Sequence, residues 1–230
     1  MSRYLIWDFD GTLGLREGGW SGALHEVACR RHGPNRVTPE RLREHLHRGF
    51  PWHAPHQVRP SAAPDVWWAL VQPVFENAFA AVGFSHPETT EMAAQVRNAY
   101  LEPHTWKLFD DVLPTLDSLS AAGFKHVILS NHVPELPSIL DALGIAGRIR
   151  RVFNSAETGC EKPHPAAFHE VRKALPEAQS FWMIGDNYVA DVTGAEKAGI
   201  PAILVRKPHA GATRYSPDVA GVAAIVGFAG

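Results

Sequence analysis

Tyr4-Leu5-Ile6-Trp7-Asp8-Phe9-Asp10-Gly11-Thr12-Leu13 is the stretch that organises the chain. Tyr4 to Trp7 is a short apolar run, the pattern of a strand buried on both faces. It ends in two carboxylates, Asp8 and Asp10, with one apolar residue between them. On a strand, such alternate side chains point the same way. Two acids on one side of a buried strand's end repel each other, a costly arrangement unless a cation or a reaction uses it. Gly11 lets the backbone turn sharply, and Thr12 offers a hydroxyl. In an open α/β sheet, ligands bind just beyond the carboxyl ends of the strands. The plain alternative is a strand-to-turn junction with solvated acids, so the reading depends on whether partners for this chemistry occur later in the chain.

From about Phe109 onward strand and helix alternate. Val112–Ala122 reads as a helix closed by Gly123, and His126–Leu129 as a buried strand ending in Ser130-Asn131-His132. Glu135–Leu143 is a helix, Arg151–Asn154 a short strand, and Lys162-Pro163-His164-Pro165 opens a helix running to about Ala174. Phe181–Ile184 is a strand ending in Gly185-Asp186-Asn187, Val189–Ala198 a helix, and Ala202–Val205 a strand. Gly211–Pro217 reads as a surface loop and Ala223–Val226 as a further strand at an edge. This alternation predicts an α/β fold, a Rossmann-like parallel sheet with helices on both faces and right-handed crossovers.

Residues 14–104 differ. They carry helical periodicity and no convincing buried strand, which predicts a small all-helical domain inserted after the first strand and its turn. One helix carries Trp20, Leu24 and Val27 and ends near Gly33-Pro34. A second starts at Thr38-Pro39 and lines Leu42, Leu46 and Phe50 on one face. A third starts near Asp65 and carries Pro73, where a kink is expected, and a fourth covers Pro87 to Leu101. The expected division is 1–13 with 105–230 as the α/β domain, and 14–104 as the helical insert.

With 230 residues, 45% hydrophobic and 20% charged, the composition is that of an ordinary globular chain. The net charge of −2 advertises neither a nucleic-acid nor a membrane surface. No stretch is long and apolar enough to cross a bilayer, and Asp8 interrupts an N-terminal apolar run too short for a secretory leader. Cys29 and Cys160 form no metal-type pair or disulfide framework, so a reducing cytoplasm is the expected location.

The partners do occur, each at a strand end or helix start. Ser130 follows an apolar strand with a hydroxyl, and Asn131 adds a backbone donor where amides gather to receive an anion. Lys162 stands ahead of Pro163 and Pro165, where an ammonium can neutralise phosphate oxygens. Asp186 lies at another strand end, and Asp191 in the first turn of the next helix. Singly each has an ordinary explanation: a cap, a solvated lysine, an acid complementing a helix N-terminus. Together, in this order and at one edge of one sheet, they point to a single site.

These motifs resemble the haloacid dehalogenase-like superfamily in its phosphatase form. Asp8-Phe9-Asp10-Gly11-Thr12 resembles the first motif, Ser130-Asn131 the second, Lys162-Pro163-His164-Pro165 the third, and Gly185-Asp186-Asn187-Tyr188-Val189-Ala190-Asp191 the fourth. The resemblance covers residues 4–13 and about 109–205; the insert resembles the family's helical caps only in position and class. Where family phosphatases often carry an acidic or hydroxyl residue after Gly-Thr-Leu, this chain has Gly14-Leu15-Arg16.

The resemblance implies a Mg²⁺-dependent phosphatase acting on a small phosphorylated metabolite, similar to phosphoglycolate phosphatase, through an aspartyl-phosphate. Asp8 is then the nucleophile and Asp10 the general acid and base. Ser130, the Asn131 amide, Lys162 and the turn amides around Gly11 hold the phosphate oxygens. The Asp8 carboxylate, the Asp10 carbonyl and the Asp186 carboxylate hold the metal, an all-oxygen set that suits Mg²⁺. Asp191 orients this shell or holds Lys162. Two alternatives stay open: a sugar-phosphate mutase similar to β-phosphoglucomutase, and a catalytically silent sensor of a phosphorylated ligand. In the insert, Arg16, Trp20, Arg43, His47, Arg48, Trp52 and His53 are candidates for contacting substrate, against the simpler view that the tryptophans are core and the rest a solvated face. Trp67-Trp68 reads as packing or a dimer patch. A monomer or homodimer is expected, with no nucleic-acid or membrane partner.

Overall fold

A computed structural model of the chain describes residues 2–61 and 63–227. In chain order its elements are β1 (Ser2–Trp7), β2 (Gly14–Arg16), α1 (Gly19–His32), α2 (Pro39–Arg43), α3 (Pro64–Ala81), α4 (His86–Tyr100), β3 (Trp106–Leu108), α5 (Val112–Ala121) and β4 (Phe124–Ser130). Then follow α6 (Leu136–Ala142), β5 (Ile149–Asn154), α7 (Ser155–Thr158), α8 (Pro165–Ala174), β6 (Ala178–Gly185), α9 (Gly194–Lys197), β7 (Ala202–Val205), β8 (Tyr215–Ser216) and α10 (Val222–Ile225). The chain divides into two units, one of Met1–Leu15, Pro55–Ser61 and Leu108–Gly230, the other of Arg16–Ala54 and Ala62–Lys107.

The first unit is built on a six-stranded sheet in the order β5-β4-β1-β6-β7-β8, every neighbouring pair parallel. The predicted α/β class is thus the observed one. β1 lies between β4 and β6, with Trp7 level with Ile128 on one side and Ile184 on the other. That register brings the ends of β4, β1 and β6 to one rim. Both faces of β1 are covered, which is why Tyr4 to Trp7 could be apolar without alternation. Tyr4 and Ile6 join Val127, Leu129, Phe168 and Met183 in one core. On the other face, Trp7 Nε1 donates to His126 Nδ1 at 3.0 Å, and His126 Nε2 lies 3.0 Å from the Leu116 carbonyl. Burial pushes the His126 pKa down, so the ring is neutral and meets both contacts as one tautomer.

The tail departs from expectation. Ala223–Val226 is not a strand: residues Val222–Ile225 form a helical turn. The sheet edge is taken earlier, where Tyr215 and Ser216 pair with Leu204 and Val205 inside the stretch read as a loop. With that edge filled, Val222 is buried by coiling instead. The helix expected over Val189–Ala198 also differs, opening as a wide π turn over Tyr188–Thr193 before α9. Asn187 Oδ1 accepts from the Val189 and Ala190 amides at 3.0 Å each, and Asp191 Oδ2 accepts from the Asn187 amide at 2.9 Å. These bonds compete with regular helical pairing in the first turn.

The second unit is helical. α1 and α4 run as the periodicity predicts, and Glu88 reaches back to accept from the Ser85 amide ahead of α4 at 3.3 Å. α3 continues through Pro73. α2 stops at Arg43, so Leu42, Leu46 and Phe50 do not share one helix face; Gly49 (φ 94°) and Pro51 turn the chain instead. Its interior is aromatic: Trp67, Trp68, Phe75 and Tyr100 are buried, so Trp67-Trp68 is packing. The predicted insert of 14–104 is interrupted, because Pro55–Ser61 groups with the sheet unit. There the Arg59 amide donates to the Gly159 carbonyl at 2.9 Å. A Cβ on Gly159 would stand 1.7 Å from the Arg59 carbonyl oxygen, so only glycine admits this approach. The short strands β2 and β3 pair where the chain leaves and regains the sheet unit. Among the described residues no helix is long and apolar enough to cross a membrane.

Candidate active site

Asp8 follows the last residue of β1, at the rim where β4 ends in Ser130 and β6 in Gly185. Two donors converge on its Oδ1: the Ser130 hydroxyl at 2.8 Å and the Lys162 ammonium at 2.8 Å. Lys162 Nζ also donates to Asp191 Oδ1 at 2.6 Å. Residues more than 120 positions apart in the chain therefore meet at one carboxylate, as the motif order predicts.

Lys162 is only 3% exposed. Its backbone is clamped by Asn131, whose Nδ2 donates to the Lys162 carbonyl at 2.9 Å and whose Oδ1 accepts from the Lys162 amide at 2.7 Å. Burial works against the ammonium, but Asp191 and Asp8 outweigh it and raise its pKa. Burial likewise pushes the Asp191 carboxyl up while Lys162 holds it down. At 2.6 Å, with a second carboxylate beside it, the proton stays on the lysine.

Asp10 reaches the surface, yet protein crowds its carboxyl. Loss of water around it, then the charges of Asp8 and Asp186, push its pKa up to about 7, against the pull of Lys207. Near neutral pH it can therefore both give and take a proton. Burial first, then Asp8, also raises Asp186.

Among the described residues the cluster suited to a metal is Asp8, Asp186 and Asp191, whose ligand atoms lie within 4.8 Å of one another. The donors are all hard oxygens, and among the described residues the carboxyls of Asp8, Asp10, Asp186 and Asp191 outnumber the ammonium groups of Lys162 and Lys207 that meet them; a divalent hard cation fits both facts. Asp191 has both oxygens engaged, one by Lys162 and one by the Asn187 amide. That leaves Asp8 and Asp186 as the carboxylates nearest to hand. The histidines of the insert join no such cluster among the described residues.

Some expectations change. Gly11 does not offer its amide to an anion, because that N–H donates to the Gly14 carbonyl at 2.8 Å. Its contribution is space: at φ 85° a Cβ would stand 2.4 Å from Asp186 Oδ2. Ser130 spends its hydroxyl on Asp8, and the Asn131 side chain serves Lys162. Arg16 is not poised for a ligand. It is buried, and its guanidinium donates to the carbonyls of Glu17, Gly19, Ala99 and Tyr100 and to Glu26 Oε1. Trp20 stacks on Tyr100 at 3.8 Å between centroids, inside the aromatic packing. Trp52 is half-buried and stacks on Phe50 at 4.7 Å. Arg43, His47, Arg48 and His53 lie on the surface of the helical unit.

Two residues at the rim are additions. His132 is buried and packs edge-on to Phe9 at 5.5 Å; burial pushes its pKa down to about 4. Lys207 lies just past β7 with its ammonium on Asp186 Oδ2. Its position beyond the end of an apolar strand was a signal that could have found it.

Against known proteins, a family model described as haloacid dehalogenase-like hydrolase matches residues 3–199. The haloacid dehalogenase-like hydrolase domain-containing protein 3 of Bos taurus is 31% identical over 216 residues, 90% of this chain and 83% of the relative. A glyceraldehyde 3-phosphate phosphatase of Methanopyrus kandleri is 34% identical over 131 residues, 53% of each chain. Among solved structures, the putative HAD-hydrolase YfnB from Bacillus subtilis, bound to magnesium, superposes with a TM-score of 0.76 at 19% identity, over 98% of both chains.

Proposed function

The chain belongs to the haloacid dehalogenase-like hydrolases, and within that family we propose that it is a Mg²⁺-dependent phosphatase of small phosphomonoesters, working through an aspartyl-phosphate on Asp8. One observation carries this reading: a second acid, Asp10, stands two residues from a carboxylate fixed by Lys162 and Ser130, and its crowded position beside Asp8 and Asp186 raises its pKa toward neutrality. An alkoxide leaving group requires a proton, whereas a halide does not, so a phosphate ester is the substrate that uses both groups.

Phosphoryl transfer rests on positioning and charge neutralisation. Asp8 and Asp186, with the Asp10 carbonyl, would hold the ion. When bound, Mg²⁺ supplies the positive charge that lets an anionic carboxylate approach an anionic ester. Both donors to Asp8 fall on Oδ1, so Oδ2 keeps the freer electron density and is the attacking atom. Its bond to phosphorus forms as the bond from phosphorus to the ester oxygen breaks, and Asp10 delivers its proton to that oxygen. Asp10, now ionised, takes a proton from water as the water attacks phosphorus. Inorganic phosphate leaves and Asp8 is regenerated. Lys162 stays charged throughout, held between Asp8 and Asp191, and balances charge on the transferring group. The phosphatase name of the Methanopyrus kandleri relative supports the same reaction class.

The test is a panel of phosphorylated metabolites assayed for phosphate release with Mg²⁺ and with chelator. Release that depends on Mg²⁺ is expected for at least one small ester. Exchange between sugar-phosphate isomers without phosphate release would make the protein a mutase, and no turnover of any ester would overturn the phosphatase reading.

A further inference from the structure

Lys207 owes its position to the residue before it. Arg206 has a left-handed backbone, φ 64°, which side-chain-bearing residues adopt only when their surroundings hold them there. Its Nε donates to the Thr12 carbonyl at 2.8 Å and its Nη2 to Asp111 Oδ1 at 2.9 Å, with the guanidinium carbon 3.6 Å above the Phe109 ring. Arg206 is thus fastened to the turn that follows Asp8 and Asp10. The Lys207 amide then donates back to the Val205 carbonyl at 2.7 Å, and the lysine stem runs to Asp186.

The two lysines of the rim differ. Lys162 has 2% of its side chain exposed and lies between two carboxylates. Lys207 has 73% of its side chain exposed and touches one buried carboxylate with its tip. An ammonium on a flexible, solvated stem can leave its partner for water at little cost. It also occupies an oxygen of Asp186, one of the carboxylates nearest to hand for a metal.

We propose that Lys207 is an exchangeable counter-ion of the metal site, taking Asp186 in the metal-free protein and displaced when a divalent cation binds. The inference rests on the Mg²⁺-dependent reading above. Lys207 then relieves the repulsion among Asp8, Asp10 and Asp186 when no metal is present, and weakens metal binding by the worth of one solvent-reachable ion pair, about fivefold.

Titration calorimetry with Mg²⁺ on the whole chain tests this, using wild type, Lys207→Met and Lys207→Arg. Lys207→Met should bind Mg²⁺ about fivefold more tightly and Lys207→Arg close to wild type. The Lys207 side-chain nitrogen resonance, assigned by its loss in Lys207→Met, should move to the position of a solvated lysine as Mg²⁺ saturates the wild type. Normal Mg²⁺ binding with an unchanged or weaker affinity in Lys207→Met, or an ammonium signal that Mg²⁺ does not move, would overturn the counter-ion role and leave the phosphatase reading intact. Absence of Mg²⁺ binding in all three proteins would overturn both.

Discussion

Among the described residues each unit buries one lysine or arginine: Arg16 in the helical unit and Lys162 in the sheet unit. Arg16 is surrounded by backbone carbonyls and one carboxylate, all placed by its own unit. Its charge is met and nothing further is called for. Lys162 is shared by Asp8 and Asp191, and Asp10 and Asp186 crowd the same rim with carboxyls raised in pKa. Negative charge there exceeds positive. The contrast teaches that burial of a charge does not mark a site; a charge balance that the fold leaves incomplete does.

The sharpest break of this contrast is Asp8→Asn. It removes the attacking oxygen but keeps the shape, so phosphate release should fall roughly 10⁴-fold or more, with a melting curve like that of wild type. Full activity in the purified variant would end the covalent mechanism. In the other unit, Arg16→Met should do the reverse. It strands the carbonyls of Ala99 and Tyr100 and the Glu26 carboxylate, and should lower unfolding free energy in urea by about 3–5 kcal/mol. Turnover per folded molecule should stay unchanged.

Asp10→Asn should cost roughly 10²- to 10⁴-fold in kcat/KM. In wild type, kcat/KM should fall as pH rises through the Asp10 pKa, because the acid form is needed to protonate the leaving oxygen. That alkaline limb should vanish from the residual activity of Asp10→Asn. A smaller effect comes from His132, whose pKa drops from 6.5 to about 4 on burial. Below pH 6.5 the unfolded chain takes up a proton that the folded chain refuses, so stability from this group is present above 6.5 and lost as pH falls toward 4. Relative to His132→Phe, wild type should lose up to about 3 kcal/mol over that window in urea melts at successive pH values.

As far as β7 the order of the main strands and helices in the sheet unit was legible because β1, β4, β6 and β7 each contain an apolar run and the helices are punctuated by glycine or proline. The convergence of Asp8, Ser130, Lys162 and Asp186 was legible too, since a parallel sheet brings the ends of its strands to one edge. Arg16 was not. Just past the first motif it was a candidate for contacting substrate or a residue of a solvated face, and only the path of the chain past Ala99 and Tyr100 shows it buried and bonded. Gly11 was half legible: its turn could be read, but its amide is taken by Gly14 and its missing Cβ makes room for Asp186, 175 residues on. The tail strand failed for a general reason: a short apolar run fits a strand or a helical turn equally, and occupancy of the sheet edge by Tyr215–Ser216 decides between them.

The amino-acid order by itself determined the parallel α/β sheet and the set of acids and lysine at its rim, because periodicity and strand-end polarity are local properties of the chain. Which charges are satisfied, which oxygen of Asp8 carries both donors, and that Lys207 faces Asp186 were decided only in three dimensions. Hydrogen bonds and Coulomb forces act over a few ångströms between groups that the chain separates by as many as 194 positions.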